Sequence, residues 1–124
     1  MGGGSAAFLY FLETNMDQTQ TSIPTITFMR QVLEVAFTRY AAAPQTAIIL
    51  YHQATGEQWC IASVCLPQYR QAADEVFVKN WSENEGLLDA LVAGGIVENT
   101  GRVLPTGFVQ ANVCRLLVPG PAVA

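Results

Sequence analysis

Thr46-Ala-Ile-Ile-Leu-Tyr-His-Gln53, then Ala54-Thr55-Gly56, then Glu57-Gln-Trp-Cys-Ile-Ala-Ser-Val-Cys-Leu66 is the stretch on which the fold turns. Two apolar runs rich in β-branched and aromatic residues flank a short loop ending in glycine. A three-residue hairpin loop usually takes a type I turn followed by a left-handed residue, a conformation Gly56 adopts without strain. That loop sets a register: Gln53 opposite Glu57, Tyr51 opposite Trp59, Ile49 opposite Ile61. One face then carries Ile49, Tyr51, Trp59 and Ile61, and the other Ile48, Leu50, His52, Cys60 and Ala62. Both faces are largely apolar, so the hairpin is expected at the centre of the fold, covered on both sides.

Upstream, Phe28 to Tyr40 fits two templates. Met29, Val32, Leu33, Ala36 and Tyr40 have helical spacing, whereas Leu33, Val35 and Phe37 alternate with Glu34 and Thr38 as in a strand. Val, Phe and Thr suit a pleated surface, which favours a strand over Val32–Arg39. Downstream, a loop from Pro67 to Ala73 leads to a short strand, Glu75–Lys79. Ser82-Glu83-Asn84-Glu85 then reads as a capping box that starts a helix. Its acids suit the positive end of the helix dipole. Leu87, Leu88, Leu91 and Val92 form the expected buried stripe, and Gly94-Gly95 ends the helix. Trp81 holds the staple position, where its ring would lie over Gly86. A short strand Ile96–Glu98, turns at Asn99-Thr100-Gly101 and Pro105-Thr106-Gly107, and a last strand Phe108–Val118 complete the chain. The expected fold is α+β, a small, mainly antiparallel β-sheet with one short α-helix inserted between strands. Residues 25–118 form the expected single domain. Residues 1–24, opening Gly-Gly-Gly-Ser and holding a polar run from Asp17 to Ser22, read as a peripheral extension within which Met16 could be an internal start. Residues 119–124 read as a flexible tail.

Composition bounds the function classes. A chain of 124 residues is one domain, and half of it is apolar while only 13% is charged, against about 25% in average globular chains. So low a charge content implies apolar surface covered by a partner or a second copy. A protein partner is therefore expected, and a homo-oligomer is compatible with the composition. The net charge is −4, and the six bases are dispersed along the chain, which argues against a nucleic-acid partner. Acids gather instead between Asp74 and Glu98, as on a solvated face. The apolar run Ala6–Leu12 is too short to span a bilayer and lacks a secretory layout, so no membrane partner and a cytoplasmic location are expected. Three cysteines, Cys60, Cys65 and Cys114, show no zinc spacing and read as free thiols in a reducing compartment.

Tyr51 through Glu57 with its Thr-Gly-Glu turn, Leu66-Pro67, and Asp74-Glu-Val-Phe-Val-Lys-Asn-Trp-Ser-Glu-Asn-Glu-Gly86 resemble a group of small bacterial proteins. So does Ala93–Glu98 running into Thr106-Gly-Phe-Val109. Proteins of this group are carried on plasmids, integrative elements and phages and have no assigned activity. The resemblance covers roughly residues 33–117 and rests on turns, caps and strand edges, which specify a fold rather than a chemistry. At position 65 that group tends to have Asn where this chain has Cys. The resemblance implies a mobile-element context and no known catalytic residue; the partner expected for a protein of such an element is a host or defence protein.

One nucleophile arrangement can be drawn. In the expected register His52 opposes Gln58, and Cys60 is its diagonal neighbour on the same face, close enough for a dyad. A buried strand cysteine is ordinarily an inert small hydrophobe, however. Glu83, Glu85 and Asp89 are imaginable metal ligands, but no histidine joins them and like charges at i, i+4 usually mark a solvated face. Gly94-Gly95 follows a helix rather than preceding one and is no phosphate loop. No cofactor is expected. Lys79, Trp81, Glu83 and Glu85 form the expected partner-binding surface, a large aromatic among charges at a strand–helix junction. The reading is a non-enzymatic binding or modulator protein, with a small Cys/His-dependent enzyme as the alternative.

Overall fold

The computed structural model describes residues 23–119. The extension, the Met16 start and the tail therefore lie wholly or mostly outside the described residues. The strands are β1 (Thr25–Phe28), β2 (Gln31–Arg39), β3 (Thr46–His52), β4 (Gln58–Ile61), β5 (Glu75–Val78), β6 (Val97–Thr106) and β7 (Val109–Leu116). Among the described residues a single α-helix, α1 (Leu87–Ala93), lies between β5 and β6 after a 3-10 turn at Ser82–Asn84. The molecule is thus α+β, with antiparallel pairing throughout and one short helix between strands.

Four strands form sheet A in the order β1-β2-β3-β4, and three form sheet B in the order β5-β7-β6. The apolar run Gln58–Leu66 links them. Its first part pairs with β3; then Ala62–Val64 crosses to β5 through a Ser63–Val78 bridge, with the Lys79 amide donating to the Ala62 carbonyl at 2.7 Å and the Val64 amide to the Phe77 carbonyl at 2.9 Å. The pairing order is then continuous from β1 to β6, and α1 packs against both of these outermost strands. A seven-residue helix is only about 10 Å long, so the pairing must curl around the core for α1 to touch both ends.

Inside that curl lie Ile26, Phe28, Leu33, Val35, Ile48, Leu50, Ala62, Val76, Val78 and the α1 residues Leu87, Leu88 and Leu91. Sheet B is buried on its other face too, where Leu66, Phe77, Ala111 and Val113 pack beneath Val64, Tyr69, Trp81 and Leu104. The buried amide of Gln45 pins the loop after Ala62–Val64. Its nitrogen donates to the Leu66 and Tyr69 carbonyls at 2.8 and 2.9 Å, and its oxygen accepts from the Leu66 amide at 2.9 Å. A buried polar group with every bond made specifies one arrangement.

Several expectations are corrected. The strand β1 was not foreseen; it pairs with β2 through a two-residue turn at Met29-Arg30, both left-handed at φ 53° and 65°. Such turns normally announce themselves with Asn or Gly, and here neither residue type is present. The hairpin register holds at Ile49–Ile61, but a bulge between Leu50 and Tyr51 pairs Tyr51 with Gln58 instead of Trp59. The closing bond runs from the His52 amide to the Glu57 carbonyl, which lengthens the loop by one residue. The hairpin is also covered on one side only: Ile48 and Leu50 are fully buried, whereas Ile61 on the other face is 42% exposed. Asn99-Thr100-Gly101 is a bulge inside β6 rather than a turn, because the Thr100 hydroxyl reaches across to the Val113 carbonyl at 2.6 Å and holds the strand on β7. The helix begins at Leu87 rather than near Glu83, and Val92 faces solvent.

Candidate functional site

β5 ends at Val78, and the chain climbs from it through Lys79, Asn80 and Trp81 into the 3-10 turn. The capping box does not form. Ser82 is left-handed at φ 56°, and neither cap residue, Trp81 before the 3-10 turn nor Gly86 before α1, makes a side-chain bond to the helical amides. The Leu88 amide in the first turn of α1 donates instead to the Asn80 Oδ1 at 2.9 Å. Gly86, left-handed at φ 90°, gives α1 its entry angle and is approached by the Phe28 ring rather than by Trp81. The helix end is as expected. The Gly95 amide donates to the Val92 carbonyl at 3.0 Å and the Ile96 amide to the Leu91 carbonyl at 2.9 Å, a Schellman motif with Gly95 at φ 75°.

Of the four expected surface residues, the structure joins two. The Lys79 Nζ lies 3.0 Å from the Glu83 Oε2, and that bond holds the exposed Glu83 carboxyl below its ordinary value. Glu85 is exposed and joins neither. Trp81 is half-buried, its ring leaning on the Leu66/Phe77 cluster.

Trp81 also forms one wall of an open cleft of about 590 Å³. Asn80 lies beside it, and the β6–β7 hairpin supplies the rest: Pro105, Gly107, Phe108, Val109 and Gln110. No charged side chain lines this cleft. The hairpin turn closes between Thr106 and Val109, with Gly107 left-handed at φ 65°. That geometry throws Phe108 outward, and its side chain is fully exposed. Phe108 and Pro105 were absent from the expected surface. The signal for them was present, a phenylalanine directly after a turn glycine, which puts an aromatic ring on a hairpin tip.

The Cys60–His52 dyad does not assemble. The bulge turns Trp59 toward His52, and the two rings stack with centroids 6.0 Å apart. The imidazole Nε2 meets the Gln31 side-chain oxygen, and Nδ1 lies 3.5 Å from the Thr55 hydroxyl. Burial pushes the Cys60 thiol up to about 11, so it stays protonated at neutral pH. Cys114, deeper in the core, is pushed up to about 12 by burial. All three cysteines are free. Among the described residues no group of three His, Cys, Asp or Glu side chains could hold a metal ion, and no helix is long and apolar enough to cross a membrane.

Compared with family models, curated proteins and solved structures, this chain matches none. Whatever is said of its function therefore rests on the site itself: an uncharged, aromatic-walled cleft beneath an exposed phenylalanine.

Proposed function

We propose that this chain is a non-enzymatic binding protein that modulates a cytoplasmic protein partner by seating it on the cleft between Trp81 and the β6–β7 hairpin. The observation that carries this reading is Phe108. A large aromatic side chain left wholly in water on a hairpin tip, beside a cleft walled by a second aromatic residue, is the composition of an interface hot spot. The absence of charge along the cleft agrees with the charge depletion of interface centres. Lys79 and Glu83 neutralise one another at its margin and serve as rim. The resemblance of Tyr51–Glu57 and Asp74–Gly86 to mobile-element proteins supports a search among proteins of such an element and its host, a defence protein included.

Affinity purification from the native host tests the reading. The intact chain is expected to retain a specific protein that Phe108→Ser and Trp81→Ala both release. Truncating a hot-spot aromatic costs about 2 kcal/mol or more, roughly a thirtyfold loss of affinity. A partner held equally by both variants and by the intact chain removes the cleft from consideration.

A further inference from the structure

The polar groups of the Trp81 cleft restrict what it can hold. The Asn80 Oδ1 accepts the Leu88 amide at 2.9 Å, which fixes the orientation of the side-chain amide and leaves its amino group to meet a ligand. Gln110, exposed on β7, adds a second side-chain amide to the same cleft. An amino group of this kind only donates, so an occupant must bring an acceptor for it. The main walls, Trp81, Pro105 and Phe108, are rings without charge. Among the described residues no basic side chain lines the cleft, and a net charge of −4 gives an anion no attraction to it. The acceptor is therefore neutral, and in a protein partner every residue supplies one as its peptide carbonyl.

Three backbone shapes could offer carbonyls there. In an α-helix the carbonyls are bonded within the helix except at its last turn, so its side presents none to Asn80. A strand would have to add to β6, the outermost strand of sheet B. That edge is interrupted twice: Pro105 has no N–H to give, and the bulge between Asn99 and Arg102 breaks the ladder further along. A polyproline II segment has no internal hydrogen bonds and leaves its carbonyls open. Its rings are apolar and uncharged, and the docking of such segments in aromatic-lined grooves is a recurring mode of recognition.

We propose, resting on the reading of the cleft as the binding site, that its occupant is an uncharged, proline-rich segment of the partner in the polyproline II conformation. The proline rings lie against Trp81 and Phe108, and the carbonyls accept from the side-chain amides of Asn80 and Gln110. A preformed segment loses little conformational entropy on binding, which suits an open cleft with few polar contacts.

Amide NMR of the full chain, titrated with a blocked ten-residue polyproline peptide, tests the proposal. The side-chain amide signals of Asn80 and Gln110 and the indole N–H of Trp81 are expected to move saturably, with half-saturation below about 1 mM. Trp81→Ala and Phe108→Ser are each expected to raise that concentration roughly tenfold or more. Asn80→Asp keeps the oxygen that caps α1 and loses the donor, so it is expected to weaken peptide binding while the denaturant midpoint stays in place. Absence of any shift overturns the proposal, as do equal shifts from a Gly-Ser peptide of the same length. Shifts of the same signals on concentrating the protein alone also overturn it, and assign the cleft to a second copy. The underlying reading fails separately. A captured partner that Trp81→Ala and Phe108→Ser release, but that millimolar polyproline peptide does not displace, overturns the occupant alone; a partner that both variants retain removes the cleft itself.

Discussion

The Asn80 side chain holds the Leu88 amide at 2.9 Å, and loss of that bond leaves an orphan donor in the first turn of α1. Asn80→Ala is expected to cost about 1 kcal/mol of stability, the usual worth of a capping side chain. Ser82 is held left-handed at φ 56°, a conformation that penalises any side chain. Ser82→Gly is therefore expected to raise the denaturant midpoint, where a working capping serine would lower it. The thiols give a pH signature. Burial raises Cys60 to about 11 and Cys114 to about 12 from an ordinary value of 9. Above pH 9 the unfolded chain releases these protons while the folded chain keeps them, so stability is full below pH 9 and declines from 9 toward 12. Urea titrations across that window are expected to show the decline, with a shallower slope in Cys114→Ala. Alkylation of Cys60 at pH 8 is expected to run roughly a hundredfold slower than that of an ordinary thiol, since only the thiolate reacts.

Among the elements, α1 shows how a short helix is held in place by both ends of the sheet. Leu87, Leu88 and Leu91 enter the core, and the Schellman motif turns the chain sharply into β6. Gly94 allows the close approach to β1. A Cβ built there would stand 2.8 Å from the Ile26 Cγ2 and 3.4 Å from the Thr25 carbonyl oxygen. Neither neighbour can withdraw, because Ile26 is buried and Thr25 pairs with Glu34. Gly94→Ala is expected to destabilise by about 1 to 3 kcal/mol, the cost of overpacking, despite alanine's better helix propensity. A denaturant midpoint equal to that of the intact protein would show that β1 does not pack on the helix end. At the other end of sheet A, the bulge at Trp59 redirects one ring and thereby breaks the only dyad the sequence allows.

At the scale of the whole molecule, the two sheets divide the work. In sheet B the strands β5 and β7 pack on both faces, and that sheet carries the ion pairs and the cleft; sheet A is covered on one. Phe108→Ser removes a side chain that touches solvent alone. It is expected to leave thermal stability within about 0.5 kcal/mol, as exposed substitutions do, while it abolishes partner capture. A fall in stability larger than that would mean that the ring packs on the molecule and is no anchor.

The sequence determined what depends on short-range chemistry. Apolar, β-rich runs made β2, β3, β5 and β7 legible, Gly56 and Gly107 marked hairpin turns, and Gly94-Gly95 marked the helix end, because each reflects the local preference of a few residues. Trp81 and Lys79 were legible as surface candidates on composition. Only tertiary structure decided the rest. Gln58–Leu66 is one apolar run in sequence, yet it serves two sheets, and pairing partners far away in the chain fix the point of transfer at Ala62. Which face of the β3–β4 hairpin would be covered depended on where α1 came to rest. The Met29-Arg30 turn adopts left-handed backbone because β1 and β2 pair on either side of it, not because its residues prefer it. The cleft arises the same way: Trp81 and Phe108 stand 27 positions apart in the sequence, and it is the pairing of β5 and β6 with β7 that brings them to one site.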